Sequence, residues 1–418
     1  MSERRGSIIG PIPVGDTGAS LSTMPVAASR AQASRRRKRA LSGTRSMIGP
    51  DGTLKIVPAK EPKAGGIRRL WLSFVELSHE NTWLTPLLLL IGFYSAFFLS
   101  SDKSASNPLH QFICLSYEIP GTDPVIYGKG LRDLSFVGFH MIFFTFVREF
   151  SMQVILRPTA RKLGLAKKGK INRFMEQTYS MMYYGFSGPV GLYIMSTMPI
   201  WYFNTTHFYL SYPHKTHEWM LKRFYLMQAS FWAQQSMVLI LQLEKPRKDF
   251  VELVFHHIVT MALILLSYRF HFTWMGVAVY FTMDVSDFFL ASSKTLNYLD
   301  SELTGPFFVM FIGVWVYMRH YLNLKILYSI LTEFATAGPF ELDWATEQYK
   351  CWISQAITFA LLLALQAVNV YWLVLIIRVG IRYVFTNGLK DDRSDDEDED
   401  DDGDVVDSPI EGEMKKQK

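Results

Sequence analysis

Cysteine is nearly absent. Two residues, Cys114 and Cys351, among 418 exclude a Cys-based metal centre and a disulfide-stapled scaffold. Charge is scarce too: 19% of residues are charged against 49% hydrophobic and 15% aromatic, too little to solvate an ordinary soluble enzyme of this length. The ten histidines include one adjacent pair and no H-x-x-H-H or H-x-x-x-H box, which argues against the di-iron chemistry of membrane hydroxylases and desaturases. There is no Gly-rich phosphate loop, no Ser nucleophile elbow and no nucleic-acid module. The chain does not open on a short apolar leader with a cleavage site, and its first long apolar run begins near Trp83. No cleaved signal peptide is expected, and the first span would act as its own insertion signal.

What the chain has is apolar runs. A span needs about 20 apolar residues, and eight stretches qualify, near 82–100, 132–156, 175–200, 220–243, 250–268, 272–295, 305–331 and 354–384. The expected fold is therefore an all-α polytopic membrane protein of about eight transmembrane helices. Gly and Gln interrupt the third and fourth runs, and the seventh is longer than a span requires. The net charge of +5 hides an asymmetry: residues 1–70 carry fourteen Lys/Arg against four Asp/Glu, while 391–413 are rich in Asp and Glu. Both ends read as solvated and disordered. The chain thus divides into a basic cytosolic arm (1–70), a first span with its luminal loop (71–131), a helical core with the last span (132–385) and an acidic cytosolic tail (386–418).

Basic short loops stay in the cytosol. The connections "RPTARKLGLAKKGKINR" and "EKPRKD" are basic, whereas the loops after the first and seventh spans are not, so both termini are expected in the cytosol. The sequon Asn204-Thr205-Thr206 then falls on the luminal side, where a glycan could be attached. Lys415, Lys416 and Lys418 near the C-terminus resemble a dilysine endoplasmic reticulum address, which is read from the cytosol. Cys114 and Cys351 fall on the luminal side, where an oxidising compartment would permit a bridge but does not require one. Ser42 follows a run of arginines and Ser394 precedes a run of acids, the contexts that basophilic and acidophilic kinases favour.

Chemistry concentrates in two consecutive spans. In "ELVFHHIVTMALILLSY" (252–268) two imidazoles sit in an otherwise oily helix, and ionisable groups in hydrocarbon are expensive and usually functional. Residues on a helix are about 100° apart, so the pair cannot share a face. Glu252, His256, Thr260 and Ser267 form one stripe, while His257 lies with Met261, Ile264 and Tyr268; His256 is the better candidate for a polar cavity. In the next span Asp284, Asp287, Ala291 and Lys294 fall on one narrow face. The intervening loop is a few residues long, so the two helices are antiparallel neighbours, and one imidazole and two carboxylates would face a shared hollow. Each residue alone has a plain structural reading: a hydrogen-bonded His, or an Asp–Lys pair that fixes helix register. Together they read as a metal-free acyl-transfer or acid–base site.

"HHIVT", then Ser267-Tyr268, then "MDVSDFFLASSKTLNY" resemble the signature of the ceramide synthases, acyl-CoA-dependent sphingoid-base N-acyltransferases of the TLC-domain superfamily. The likeness covers roughly residues 170–385. The dilysine end and acidic tail, without a homeodomain-like insert, resemble the fungal branch. Met283 and Ala291 depart from the His and the acid that many relatives have there, and leave no role for a third His or third carboxylate. The resemblance implies an endoplasmic reticulum enzyme that joins a fatty acyl-CoA to dihydrosphingosine or phytosphingosine. It implies a ring of six helices, spans two to seven, around a long lipid cavity. It also implies a preference for very long acyl chains, a small single-span regulatory subunit and a paralogous or identical catalytic subunit.

The residues allow two routes. His256 could deprotonate the amine as it attacks the thioester, or could accept the acyl group and hand it on; the second avoids crowding two bulky substrates into one cavity. His257 would hydrogen-bond or relay a proton, and Asp284 and Asp287 would orient imidazole and bind the amine. Lys294 could bind the thioester oxygen, but pairing with Asp287 is favoured. Trp315, Arg319 and Asn323 make a polar stripe on the seventh span that either meets substrate or bridges helices. Polyanionic CoA arrives from the cytosol, which nominates Lys170, Arg173, Lys245, Arg247, Lys248, Arg378 and Arg382, although all of them also serve the topology rule. Acyl-CoA is a co-substrate, and no resident cofactor or metal is expected. The alternative from another class is a non-catalytic TLC-domain protein that binds or senses lipid, with a proton-coupled transporter third. In the family the loop before the last span influences acyl length, which points to 333–354.

Overall fold

The computed structural model describes residues 44–48, 54–58, 66–241, 243 and 249–386. Ser42, Ser394, Lys245, Arg247, Lys248 and the C-terminal lysines lie outside the described residues. The chain divides into two units, Met1–Glu76 and Leu77–Lys418. The first holds an antiparallel hairpin, β1 (Thr44–Ile48) paired with β2 (Leu54–Pro58) in the register Thr44↔Pro58, and the beginning of α1 (Gly66–Glu80).

The second unit is helical. It runs α2 (Leu84–Leu99), α3 (Arg132–Lys162), α4 (Lys168–Ser196), α5 (Trp219–Ile240), α6 (Phe250–Arg269), α7 (Thr273–Tyr298), α8 (Thr304–Thr332) and α9 (Trp352–Thr386). A long helix thus stands at each of the eight apolar runs. Among the described residues α3, α6, α8 and α9 are long and apolar enough to cross a membrane, and α1 with α2 makes a fifth if counted as one span. This is a multi-pass membrane protein. α4, α5 and α7 are more polar and fall outside that set; in α5 and α7 the polar residues Gln228, Ser230, Gln234, Asp284 and Ser286 are buried. α4 also begins seven residues before the expected 175. Its first two turns are basic, so a hydropathy criterion stops short while the backbone stays helical.

Packing follows small residues and aromatic clusters. α4 lies along α7, and a Cβ at Gly185 would come 3.1 Å from the Phe288 ring, so the missing side chain permits the close approach. Phe308, Phe311 and Trp315 of α8 join Val368, Trp372 and Ile376 of α9 in one apolar cluster. α3 and α8 each contain a π-helical stretch, Ser151–Leu156 and Val316–Leu322. Such stretches often accompany functional positions, and the second carries Arg319.

The end where α6 turns into α7 is tied by polar contacts. A short sheet, β3 (Glu118–Ile119), β4 (Ile126–Tyr127) and β5 (His217–Glu218), in the order β3-β4-β5, joins the loop before α3 to the start of α5. Beneath it the Lys222 ammonium, with no exposed surface, meets Asp133 Oδ1 at 2.8 Å and donates to the carbonyls of Ser116 and Gly128 at 2.9 and 2.7 Å. Tyr268 donates to Asp133 Oδ2 at 2.8 Å. His271, at φ 63°, makes the tight α6–α7 turn, so these helices are antiparallel as expected. The loop before α9 is docked here as well: Glu347 lies 3.6 Å from Lys215 and 3.7 Å from His271. That loop is internally ordered. Asp343 bridges Gln348, and hydrogen bonds from the Thr346 hydroxyl and the Ala345 amide hold the Asp343 carboxyl below its usual range.

Removing one partner of a buried ion pair leaves an uncompensated charge and costs about 3–5 kcal/mol. Asp133→Ala is therefore expected to lower the melting temperature of detergent-purified protein far more than a surface Asp102→Ala. A pH dependence follows from the same end. His214 and His271 are both pushed down to about 3, chiefly by burial, whereas an unfolded chain binds those protons near pH 6.5. The unfolded state therefore holds more protons between those values. Stability is complete above about pH 6.5 and falls as the pH is lowered through the window. Thermal unfolding from pH 7 to pH 5 should show this drop, and His214→Gln with His271→Gln should flatten it.

Candidate active site

α6 presents His256 on one side and His257 on the other. His256 is 5% exposed; its Nε2 lies 3.5 Å from Thr260 Oγ1, and its Nδ1 has no hydrogen-bond partner. Its ring is enclosed edge-on by Trp232 of α5 at 5.7 Å and Trp372 of α9 at 5.1 Å. Trp372 Nε1 in turn donates to Asp249 Oδ2 at 3.2 Å, immediately before α6. His257 Nδ1 is 2.9 Å from the Leu253 carbonyl; a carbonyl only accepts, so that nitrogen carries the proton.

His256 lines a cavity of about 230 Å³ whose walls are almost wholly apolar. His256, Thr260, Leu263, Ile264 and Ser267 contribute one stripe of α6, and Leu342, Trp344, Tyr349 and Cys351 from the loop before α9 close the other end. The stripe expected from helical spacing faces the cavity, except for Glu252, which does not line it; Ile264, expected on the His257 face, lines it too. Gly276 is required at one wall, because a Cβ there would sit 2.3 Å from the Tyr225 hydroxyl; that hydroxyl is hydrogen-bonded to Ser267. Such an apolar space suits an alkyl chain with a reacting head.

The carboxylates are placed differently from the expectation. Neither Asp284 nor Asp287 lines this cavity; Met283, beside them, does. Asp284 is fully buried and accepts from Gln228, which in turn accepts from the Tyr183 hydroxyl at 2.8 Å. Asp287 was expected to pair with Lys294, whose charge does act on it; Arg319 pairs with it too, Nη2 lying 2.5 Å from Asp287 Oδ1. Lys294 stands two turns further along α7 and is half-buried. The π-helical stretch of α8 thus carries a guanidinium to that carboxylate.

In the polar stripe of α8, Arg319 bridges helices. Nε donates to Ser286 Oγ at 2.6 Å and Nη1 to Asn369 Oδ1 at 3.0 Å, while the guanidinium lies 4.2 Å from the Trp315 ring centre. Asn323 donates to Gln366 at 2.7 Å. Trp315, Arg319 and Asn323 are buried and do not line the cavity, and Arg319 and Asn323 bond across α7, α8 and α9. Among the cations nominated for CoA, Arg173 is buried and paired with Glu176 at 2.9 Å, and Lys170 pairs with Asp300 at 2.7 Å. Arg378 is exposed and Arg382 half-buried near the end of α9. Asn204 of the sequon is exposed. Cys114 and Cys351 are both free thiols.

Sequence reasoning missed Trp232, Gln228, Trp372, Asn369 and Asp249. The signal for Gln228 was present as a polar interruption of the fourth apolar run. Aromatic residues in an oily span carry no such mark.

A bundle of membrane-capable helices around an apolar cavity, with one buried histidine on its wall, defines the class, and residues 173–378 match the TLC domain model. The chain is 48% identical over 417 residues to the ceramide synthase LAG1 of Saccharomyces cerevisiae, covering 100% of this chain and 95% of that protein. It is 51% identical over 320 residues to the sphingosine N-acyltransferase lac1 of Schizosaccharomyces pombe (77% and 82% covered). It is also 48% identical over 343 residues to the sphingosine N-acyltransferase-like protein FUM17 of Gibberella moniliformis (80% and 88%). The chain belongs to the sphingosine N-acyltransferase, or ceramide synthase, family of TLC-domain proteins.

If Arg319 is a bridge between helices, Arg319→Met should lower thermal stability as well as turnover. Arg319→Lys, which cannot serve the same set of acceptors, should restore little of either. Melting curves beside ceramide assays check this; a stable but inactive Arg319→Met would return the residue to substrate binding.

Proposed function

We propose that the protein transfers a fatty acyl group from acyl-CoA to the amine of a sphingoid base, giving ceramide and CoA, and that His256 is the reacting imidazole. The observation that carries this is the His256 Nδ1, buried and without a partner on the wall of an apolar cavity. In the route favoured here His256 accepts the acyl chain, which lies along the cavity toward the loop before α9, and CoA departs. The sphingoid base then takes the acyl group as an amide. Asp284 and Asp287 act around the cavity rather than on its wall: Asp284 fixes Gln228 and α5 against α7, and Asp287 anchors Arg319. His257, with its Nδ1 proton on Leu253, relays protons or holds the turn of helix beside His256. The reaction needs no resident cofactor.

The wider reading rests on the loop charges and motifs of the sequence. Eight helices, α2 to α9, span the membrane of the endoplasmic reticulum with both termini in the cytosol. α3 to α8 form the ring of the TLC domain, with α9 as an additional wall. Asn204 faces the lumen and carries a glycan, CoA binds cations at the cytosolic face, Arg378 and Arg382 among them, and a small single-span subunit and a second catalytic subunit assemble with the chain.

His256→Ala should abolish ceramide formation from acyl-CoA and dihydrosphingosine, by about 10³-fold or more as for loss of a nucleophile, with unchanged yield and elution. Retained turnover would refute the assignment. The cavity also sets chain length: Ile357 lines it, and Ile357→Trp should shift the ceramide profile, read by mass spectrometry, toward shorter acyl chains.

A further inference from the structure

Of the residues that line the cavity, three carry a buried polar side-chain atom with no hydrogen-bond partner: His256 Nδ1, Trp232 Nε1 and Tyr280 Oη. Tyr280 packs against Phe224 and Tyr225. Trp232 packs against His256, with ring centres 5.7 Å apart and planes inclined by 66°. The indole is 6% exposed, so water does not satisfy its N–H, and the two orphaned nitrogens do not bond to each other. An indole N–H only donates. Left unmet in an apolar setting it is costly, and only an acceptor can meet it.

We propose that the Trp232 indole N–H is the donor that stabilises the oxyanion formed on the acyl carbonyl during transfer at His256. This rests on His256 being the reacting imidazole. The lone pair of His256 forms a C–N bond to the thioester carbon, and the C=O π pair moves onto oxygen, where Trp232 donates to it. Collapse restores C=O, breaks the C–S bond and releases CoA as thiolate. The amine of the base then attacks the same carbon, and a second oxyanion forms. Its collapse breaks the C–N bond to the imidazole, and the proton shed by the amine nitrogen ends on the CoA thiolate. In direct attack by the amine the same oxygen becomes negative, so the indole has the same task. Such donors act because they are positioned before charge develops. Trp232 is held that way by Phe231 and by both histidine rings.

Trp232→Phe keeps the ring and removes the N–H. It is expected to lower kcat about 10²–10³-fold, the loss typical of one oxyanion donor, with KM for acyl-CoA within about three-fold, and Trp232→His, which returns a ring N–H, should recover part of the loss. Turnover of Trp232→Phe equal to wild type, or a change in KM alone, would overturn the proposal. His256→Ala measured alongside separates the two claims. If it is inactive while Trp232→Phe is fully active, only the donor role fails; if it is active, the reading of His256 fails first. Should Trp232→Phe not fold, the ¹⁵N-indole spectrum of the wild type decides. Acyl-CoA, and not its thioether analogue without a carbonyl, should move one indole N–H downfield, and identical spectra would refute the role.

Discussion

The Arg319 guanidinium is the contact on which the architecture depends. A charge inside a bundle of apolar helices is tolerated only when paired and hydrogen-bonded, and its acceptors come from two other helices: Ser286 and Asp287 on α7, Asn369 on α9. Satisfying that one side chain fixes α8 between them. With α9 fixed, Trp372 comes to rest against His256, and the residues of α9 from Ile353 to Leu365 become a wall of the cavity. The site is thus assembled by a charge that does not itself touch the cavity.

A division of labour follows for the polar residues of the two central helices. Those of α7 hold helices together, Asp284 through Gln228 toward α5 and Asp287 through Arg319 toward α8. The stripe of α6 from His256 to Ser267 is left to face an apolar hollow. Burial of polar groups is affordable in the first case because partners are present. In the second, the His256 Nδ1 has no protein partner, and the proposed acyl transfer gives it one.

Much of this was legible in the sequence. Apolar runs gave the eight helices to within a few residues in most cases, because hydrophobic length is a robust signal. The stripe His256, Thr260, Ser267 followed from helical spacing alone, and the family resemblance over roughly 170–385 agrees closely with the match at 173–378. What failed was anything that depended on a third helix. Spacing along α7 placed Lys294 on the face of Asp287, but it could not show that the π-helical stretch of α8 brings Arg319 to the same carboxylate. Nor could it show that α9, expected outside the ring, walls the cavity. The helix α1 (Gly66–Glu80) was missed because it lies at the edge of a basic arm, where apolar length is no guide.

The central claim is that a buried imidazole at one end of an apolar cavity takes up the acyl chain. The most direct test is the intact mass of the purified protein after incubation with acyl-CoA and no sphingoid base, followed by peptide mapping. The account predicts a mass increase of one acyl group, located at His256 and discharged as ceramide when the base is added. An unchanged mass in a preparation that makes ceramide normally would contradict it.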